Sequence, residues 1–176
     1  MKTNPALFSA NELLNAYSNK TMSPVEATKA ILDHIKNYDK KLNSFRLVDE
    51  EKALESARAS EERWSMGTPA GLVDGVPTTI KDLVATKGWS TRRGSLTTND
   101  KGPWKEDAPL VARLRSNGAV LLGKTTTPEF GWKGVTDSPL TGITRNPWDL
   151  TKTPGGSSGG AAAAAGRASQ RQPRRY

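Results

Sequence analysis

Residues 154–166 read Pro154-Gly155-Gly156-Ser157-Ser158-Gly159-Gly160-Ala161-Ala162-Ala163-Ala164-Ala165-Gly166, a glycine and serine loop running directly into five alanines. Four glycines around two serines describe backbone free to enter conformations closed to residues with a Cβ, and two hydroxyls set among free N–H groups. Alanine is the best helix former, so Ser157 to Gly160 are expected at a helix N-terminus, where unsatisfied N–H groups and the helix dipole favour an anion or a developing oxyanion. Three readings compete. A phosphate-binding loop needs Gly-Lys-Ser/Thr where this chain has Gly159-Gly160-Ala161, and a dinucleotide fingerprint needs a preceding strand and other glycine intervals. A flexible linker fits the composition alone. A loop that presents catalytic serines fits the hydroxyls and the helix that follows.

The rest of the composition narrows the chemistry. At 176 residues, 35% of them hydrophobic, the chain is long enough for one domain with a core. It has no cysteine and one histidine, which excludes disulfides, Cys-ligated metals and a His-cluster site. No metal and no cofactor are expected, and hydroxyls, lysines and carboxylates must do the work. No apolar run approaches a membrane span, and Met1 to Phe8 lack the apolar core of a signal peptide, so the expected location is the cytoplasm. The formal charge is +8, but Arg167, Arg171, Arg174 and Arg175 supply half of it within the last ten residues. The body carries no basic stripe interleaved with aromatics, which argues against a nucleic-acid partner.

Along the chain, Ser9 is a candidate N-cap for a helix over residues 8–19. Ser23-Pro24-Val25-Glu26 forms a capping box with Pro at N1, opening a helix with Ala27, Ala30, Ile31, His34, Ile35 and Tyr38 on one face. His34 has no acidic residue at helical spacing on that face and reads as a packed histidine rather than a general base. After an extended segment over 42–48, Asp49 caps a third helix with Ala53, Ala57 and Trp64 inward, ending at Gly67. Asp74-Gly75 is a turn before the β-rich run Val76 to Asp82. Lys81 in that run is either an edge lysine paired with Asp82 or a desolvated amine whose lowered pKa suits a general base. Asp107 to Asn117 reads as another capped helix with Val111 and Leu114 inward, stopped by Gly118. Ala119 to Leu122 then forms a short buried strand. Lys124 and Glu129 follow where α/β proteins place ligand sites, and a structural ion pair suits Lys124 better than the role of a second base. Residues 139–152 form a loop in which Asn146-Pro147-Trp148-Asp149 braces the serine loop, with Trp148 as packing. The order of elements points to an α/β architecture.

Five blocks in one order carry a resemblance: Gly75 to Asp82, Gly118 to Thr125, Thr127 to Phe130, Asn146 to Trp148, and the serine loop. Together they resemble the amidase signature family, whose members hydrolyse carboxylic amides with a Ser, cis-Ser, Lys triad. Thr91 to Ser95 resembles a less specific family block and receives no role. The resemblance implies an α/β fold, with N-terminal helices followed by part of a mixed β-sheet core. It implies Lys81 as the catalytic lysine and Ser157 as the cis serine. Gly155, Gly156, Ser158, Gly159 and Gly160 would support the loop. In the family, a neutral lysine takes a proton from the cis serine, which relays it from a second, nucleophilic serine; that serine attacks the amide carbonyl, releasing ammonia or an amine.

The nucleophile lies about two dozen residues past the cis serine in the family, on a Gly-rich turn after an apolar strand. Here only nineteen residues follow Ser157. After Gly166 an apolar strand gives way to Arg167-Ala168-Ser169-Gln170-Arg171-Gln172-Pro173-Arg174-Arg175-Tyr176, and Ser169 fits neither the spacing nor the neighbours of the nucleophile. The expectation is one domain portion over residues 1–166, a disordered basic tail over 167–176 arising from a frameshift or early stop, no nucleophile in this chain, and no amide hydrolysis by the chain alone. The substrate class is a small-molecule amide, with a homodimer as a possible assembly. Two alternatives stay open: the glutaminase-type A subunit of a tRNA-dependent amidotransferase, and a non-catalytic remnant or binding module with a basic tail.

Overall fold

A computed structural model describes residues 4–168. Three α-helices come first in the chain. Helix α1, Ala10–Ser18, starts at a capping box in which Ser9 and Glu12 bond reciprocally. Helix α2, Pro24–Leu42, starts at the same device built from Ser23 and Glu26, and ends at Asn43 in the left-handed conformation, φ 52°. Strand β1, Phe45–Val48, leads into α3, Glu50–Ser65, which Asp49 caps through the Lys52 N–H. The extended segment is thus shorter than the sequence suggests, because α2 keeps Leu42. The inward face of α2 also differs, since Leu32 is its most buried large side chain while Ile31, His34 and Ile35 are only half-buried.

Strand β2, Pro77–Lys81, and strand β3, Val120–Thr125, pair in parallel across helix α4, Pro109–Ser116, and β1 joins the other edge of β3 antiparallel. The sheet order is β1-β3-β2, so the mixed sheet expected from the resemblance is present. All six residues of β3 are buried, as a central strand covered on both faces requires. Val120 and Leu122 pack with Leu32, Ala53 and Ala57 from α2 and α3. Leu121 and Ile80 pack with Val111 of α4 and Trp89 on the opposite face.

One irregularity decides what the strand ends present. Thr78 pairs with Leu121, yet Thr79 pairs with Gly123, so β3 carries one extra residue at this point. Such a bulge reverses the alternation of side chains beyond it. Gly123 is required there, because a Cβ would collide with the Leu47 carbonyl oxygen. Beyond the bulge Ile80 pairs with Lys124 and Lys81 with Thr125, which places Lys124 on the α4 side and Lys81 on the α2 side.

Helix α4 corrects one expectation. Its N-cap is Ala108, with Pro109 at the first turn and no side-chain cap. Asp107 instead accepts from the Lys87 N–H and pairs with Arg115 at 2.9 Å, tying α4 to the loop that precedes it. A two-stranded hairpin, β4 at Asp137–Ser138 and β5 at Gly142–Ile143, follows β3. Helix α5, Gly159–Ala168, then packs on α2 and β2. Its backbone passes residue 166 by two positions; the remainder of the basic tail lies outside the described residues.

Candidate active site

Lys81 is the last residue of β2, on the face opposite to Ile80, and meets the serine turn at the start of α5. Its Nζ donates to Ser157 Oγ at 2.8 Å and to Ser158 Oγ at 3.1 Å. Burial lowers its pKa, because the ammonium form loses hydration. Asp82 is not its partner. That carboxylate turns to the other face, where Arg46 Nε of β1 reaches it at 2.9 Å and Lys124 Nζ lies at 3.9 Å. Burial pushes the Asp82 carboxyl up, and the two cations pull it back.

The loop that meets Lys81 is shaped by its neighbours more than by unusual dihedral angles. Of its four glycines only Gly155 has a positive φ, 83°. Gly159 and Gly160 are glycines because of close approach: a Cβ on the first would collide with Thr136 Oγ1, and on the second with the backbone of Thr126. Gly156 runs against Gly134 and Val135, with a Cβ position 2.9 Å from their backbone atoms. The Gly156–Ser157 peptide bond is cis. The Ser157 carbonyl accepts from Thr127 Oγ1 at 3.2 Å, and the Thr136 hydroxyl donates to the Gly155 carbonyl at 2.8 Å. Gly159 N–H donates to Thr136 Oγ1 at 3.1 Å. Ser157 and Ser158 therefore precede the first turn of α5, as the alanine run predicts, but one of the helix's leading N–H groups is already occupied by protein.

Other sequence candidates fall elsewhere. Lys124 is fully buried and donates to the Val84 carbonyl at 2.6 Å, Thr91 Oγ1 at 3.0 Å and Thr86 Oγ1 at 3.3 Å. Burial lowers its pKa to about 8, against the pull of Asp82. The structural ion pair expected of Lys124 is formed with Asp82, at 3.9 Å, while Glu129 sits beyond the strand end and accepts from Ser95 Oγ at 2.6 Å. Lys124 acts as an internal cation around which residues 82–91 are folded. Thr91 to Ser95, given no role from sequence, is the block that closes over it: Arg93 N–H donates to the Asp82 carbonyl, and Phe130 N–H to the Arg93 carbonyl. His34 lies half-buried on α2 with its ring 4.5 Å from that of Tyr38, in a cleft with Ile31 and Phe45. Asn146 closes the turn that leads into the serine loop, donating through Nδ2 to the Thr153 carbonyl. Trp148 does not pack as expected; it is 67% exposed.

Thr127, Thr136 and Arg46 carry no mark in the sequence. Each is a polar residue in an unremarkable local setting, and nothing in its neighbours in sequence points to its partner, Ser157, Gly155 or Asp82. Among the described residues no three His, Cys, Asp or Glu side chains are grouped to hold a metal ion, and no helix is long and apolar enough to cross a membrane.

Known proteins share both the pattern and the geometry. Residues 26–169 match the family described as Amidase. The A subunit of glutamyl-tRNA(Gln) amidotransferase from Salinispora tropica is 43% identical over 152 residues, covering 86% of this chain and 31% of the relative. A bacterial aryl acylamidase of the amidase signature enzymes superposes with a TM-score of 0.80 at 36% identity, over 89% of this chain and 33% of that one. Native peptide amidase from Stenotrophomonas maltophilia does so with a TM-score of 0.80 at 30% identity, over 93% and 34%. The chain spans about a third of the length of these relatives. With the family match covering most of the sequence and the fold shared at these identities, the chain belongs to the amidase family, among the amidase signature enzymes.

Proposed function

We propose that this chain carries the lysine and cis-serine half of an amide-hydrolysing site, with Lys81 as general base and Ser157 as proton relay. The 2.8 Å contact between Lys81 Nζ and Ser157 Oγ carries the reading. A lysine whose pKa is lowered by burial has more of the neutral amine at a given pH. That amine can accept the Ser157 proton, and Ser157 can then take one from an attacking hydroxyl. Ser158 and Gly155 to Gly160 hold the geometry. The attacking serine, the rest of the substrate pocket and the oxyanion donors belong, on the family pattern, to sequence that residues 4–168 do not supply. The substrate class is a small-molecule carboxylic amide, cleaved to an acid and ammonia or an amine; a cytoplasmic location and a homodimer are part of the same proposal.

A more specific version takes the amide of glutamine as substrate, within an amidotransferase complex. The 40–44% identity to amidotransferase A subunits, against 30–36% for the amidases of solved structure, favours it. The test is a panel of amides, glutamine included, offered to the purified chain, together with a pH titration of Lys81 reactivity. The expected outcome is no turnover and a Lys81 amine that titrates below exposed lysines. Turnover that Lys81→Ala abolishes would show that the chain needs no further serine, and an ordinary Lys81 titration would remove the general base.

A further inference from the structure

Ser157 and Ser158 sit in a turn whose two ends meet on one side chain. Thr136 is 2% exposed, and its hydroxyl donates to the Gly155 carbonyl at 2.8 Å while accepting from the Gly159 N–H at 3.1 Å. A hydroxyl has one proton and two lone pairs, so it can serve both bonds at once. The contact is close enough that position 159 admits no Cβ. Thr136 is itself held from behind. Its carbonyl accepts from the Thr144 N–H at 2.9 Å, and Thr144 Oγ1 lies 2.7 Å from Thr126 Oγ1 and donates to the Asn43 carbonyl at 2.7 Å. Asn43 in turn ends α2 in the left-handed conformation. A continuous line of buried and part-buried hydrogen bonds therefore runs from the end of α2 through the hairpin to the serine turn.

We propose that Thr136 is a positioning residue for Ser157 and Ser158, its hydroxyl holding together the two ends of the turn that presents them to Lys81. The proposal rests on the reading of Lys81 as base and Ser157 as its relay. Thr136 touches neither reacting oxygen and acts only through the turn. Its removal leaves the Gly155 carbonyl and the buried Gly159 N–H without their partner, and the turn is then free to open away from Lys81.

The test compares the whole chain with Thr136→Val, which keeps the shape and removes the hydroxyl, and with Thr136→Ser, which restores it. Two quantities are followed: amide hydrogen exchange at Gly159 by NMR, and the pH profile of Lys81 labelling by trinitrobenzenesulfonate, located by peptide mass. Thr136→Val should speed exchange at Gly159 about tenfold and leave Val111 in α4 unchanged. It should also move the Lys81 profile up toward the ordinary lysine range, and Thr136→Ser should return both readings to wild type. A wild-type Gly159 amide with no protection overturns the proposal without any variant. A low wild-type Lys81 profile that Thr136→Val leaves in place overturns the positioning role alone. An ordinary wild-type Lys81 profile overturns the general-base reading and the positioning role with it.

Discussion

Two lysines at the ends of neighbouring strands of one sheet, Lys81 the last residue of β2 and Lys124 the last but one of β3, meet opposite surroundings. Lys81 and Lys124 are offset by one step of the ladder, since Lys81 pairs with Thr125 and Lys124 with Ile80. That step puts them on opposite faces. Lys81 is half-buried and addresses two serine hydroxyls. Lys124 is wholly buried and addresses a carbonyl and two threonine hydroxyls of the segment that follows Lys81. Burial lowers both pKa values. A depressed pKa therefore does not by itself mark a base. What distinguishes the two is access: Lys81 is partly exposed and faces two serine hydroxyls, whereas Lys124 is fully buried and has its polar contacts supplied by the residues around it.

The largest expected difference is in chemical reactivity. At a pH below the ordinary lysine range, Lys81 should label faster than exposed lysines, because burial lowers its pKa. Lys124, for all its lowered pKa, should label at least about a thousandfold more slowly than Lys81, because it becomes accessible only when the core opens. Site-resolved mass spectrometry of a labelling time course measures both. Comparable rates at the two positions would break the distinction between access and pKa.

A smaller effect separates them through stability. Lys124 keeps its proton to about 10.5 in the unfolded chain and loses it at about 8 in the folded one. Between those limits the unfolded state binds more protons, so stability rises with pH, by at most about 1.4 kcal/mol per unit. Urea unfolding from pH 8 to 10 should show that rise, and Lys124→Met should flatten it. The window closes at pH 10 because burial raises the Tyr17 phenol, whose contribution is lost as the unfolded chain ionises above that point. A slope that survives Lys124→Met would mean that another group causes it.

The smallest effect is the counterpart at the open site. Lys81→Met should change unfolding free energy by less than about 0.5 kcal/mol, as for a partly exposed side chain outside the core. A loss of several kcal/mol would mean that Lys81 is a structural element like Lys124 and would blur the comparison.

Much of this is legible in the order of residues. The capping boxes at Ser9 and Ser23, the Asp49 cap, the β run to Lys81, the buried strand before Lys124 and the helix after Gly160 all rest on local rules, and local rules are written in neighbouring residues. Asp107 shows where such rules fail: it has the chemistry of a cap, but Lys87 and Arg115 offered it better partners and Pro109 opened the helix without it. Trp148 failed for a related reason, since an aromatic residue in a loop says nothing about what will cover it.

By itself the sequence determined which residue types are available for chemistry, the order of the elements and the family pattern that singles out Lys81 and Ser157. The tertiary structure alone decided that the two lysines would occupy opposite faces, because the face of Lys124 depends on one extra residue in β3 opposite Thr78 and Thr79, a property of pairing between strands about forty residues apart. It alone gave Thr136 its role, because a hydroxyl acquires partners at Gly155 and Gly159 only once the hairpin and α5 have packed. Positions set by hydrogen bonds along the chain can be read from their neighbours, whereas positions set by contact between distant segments exist only in the folded molecule.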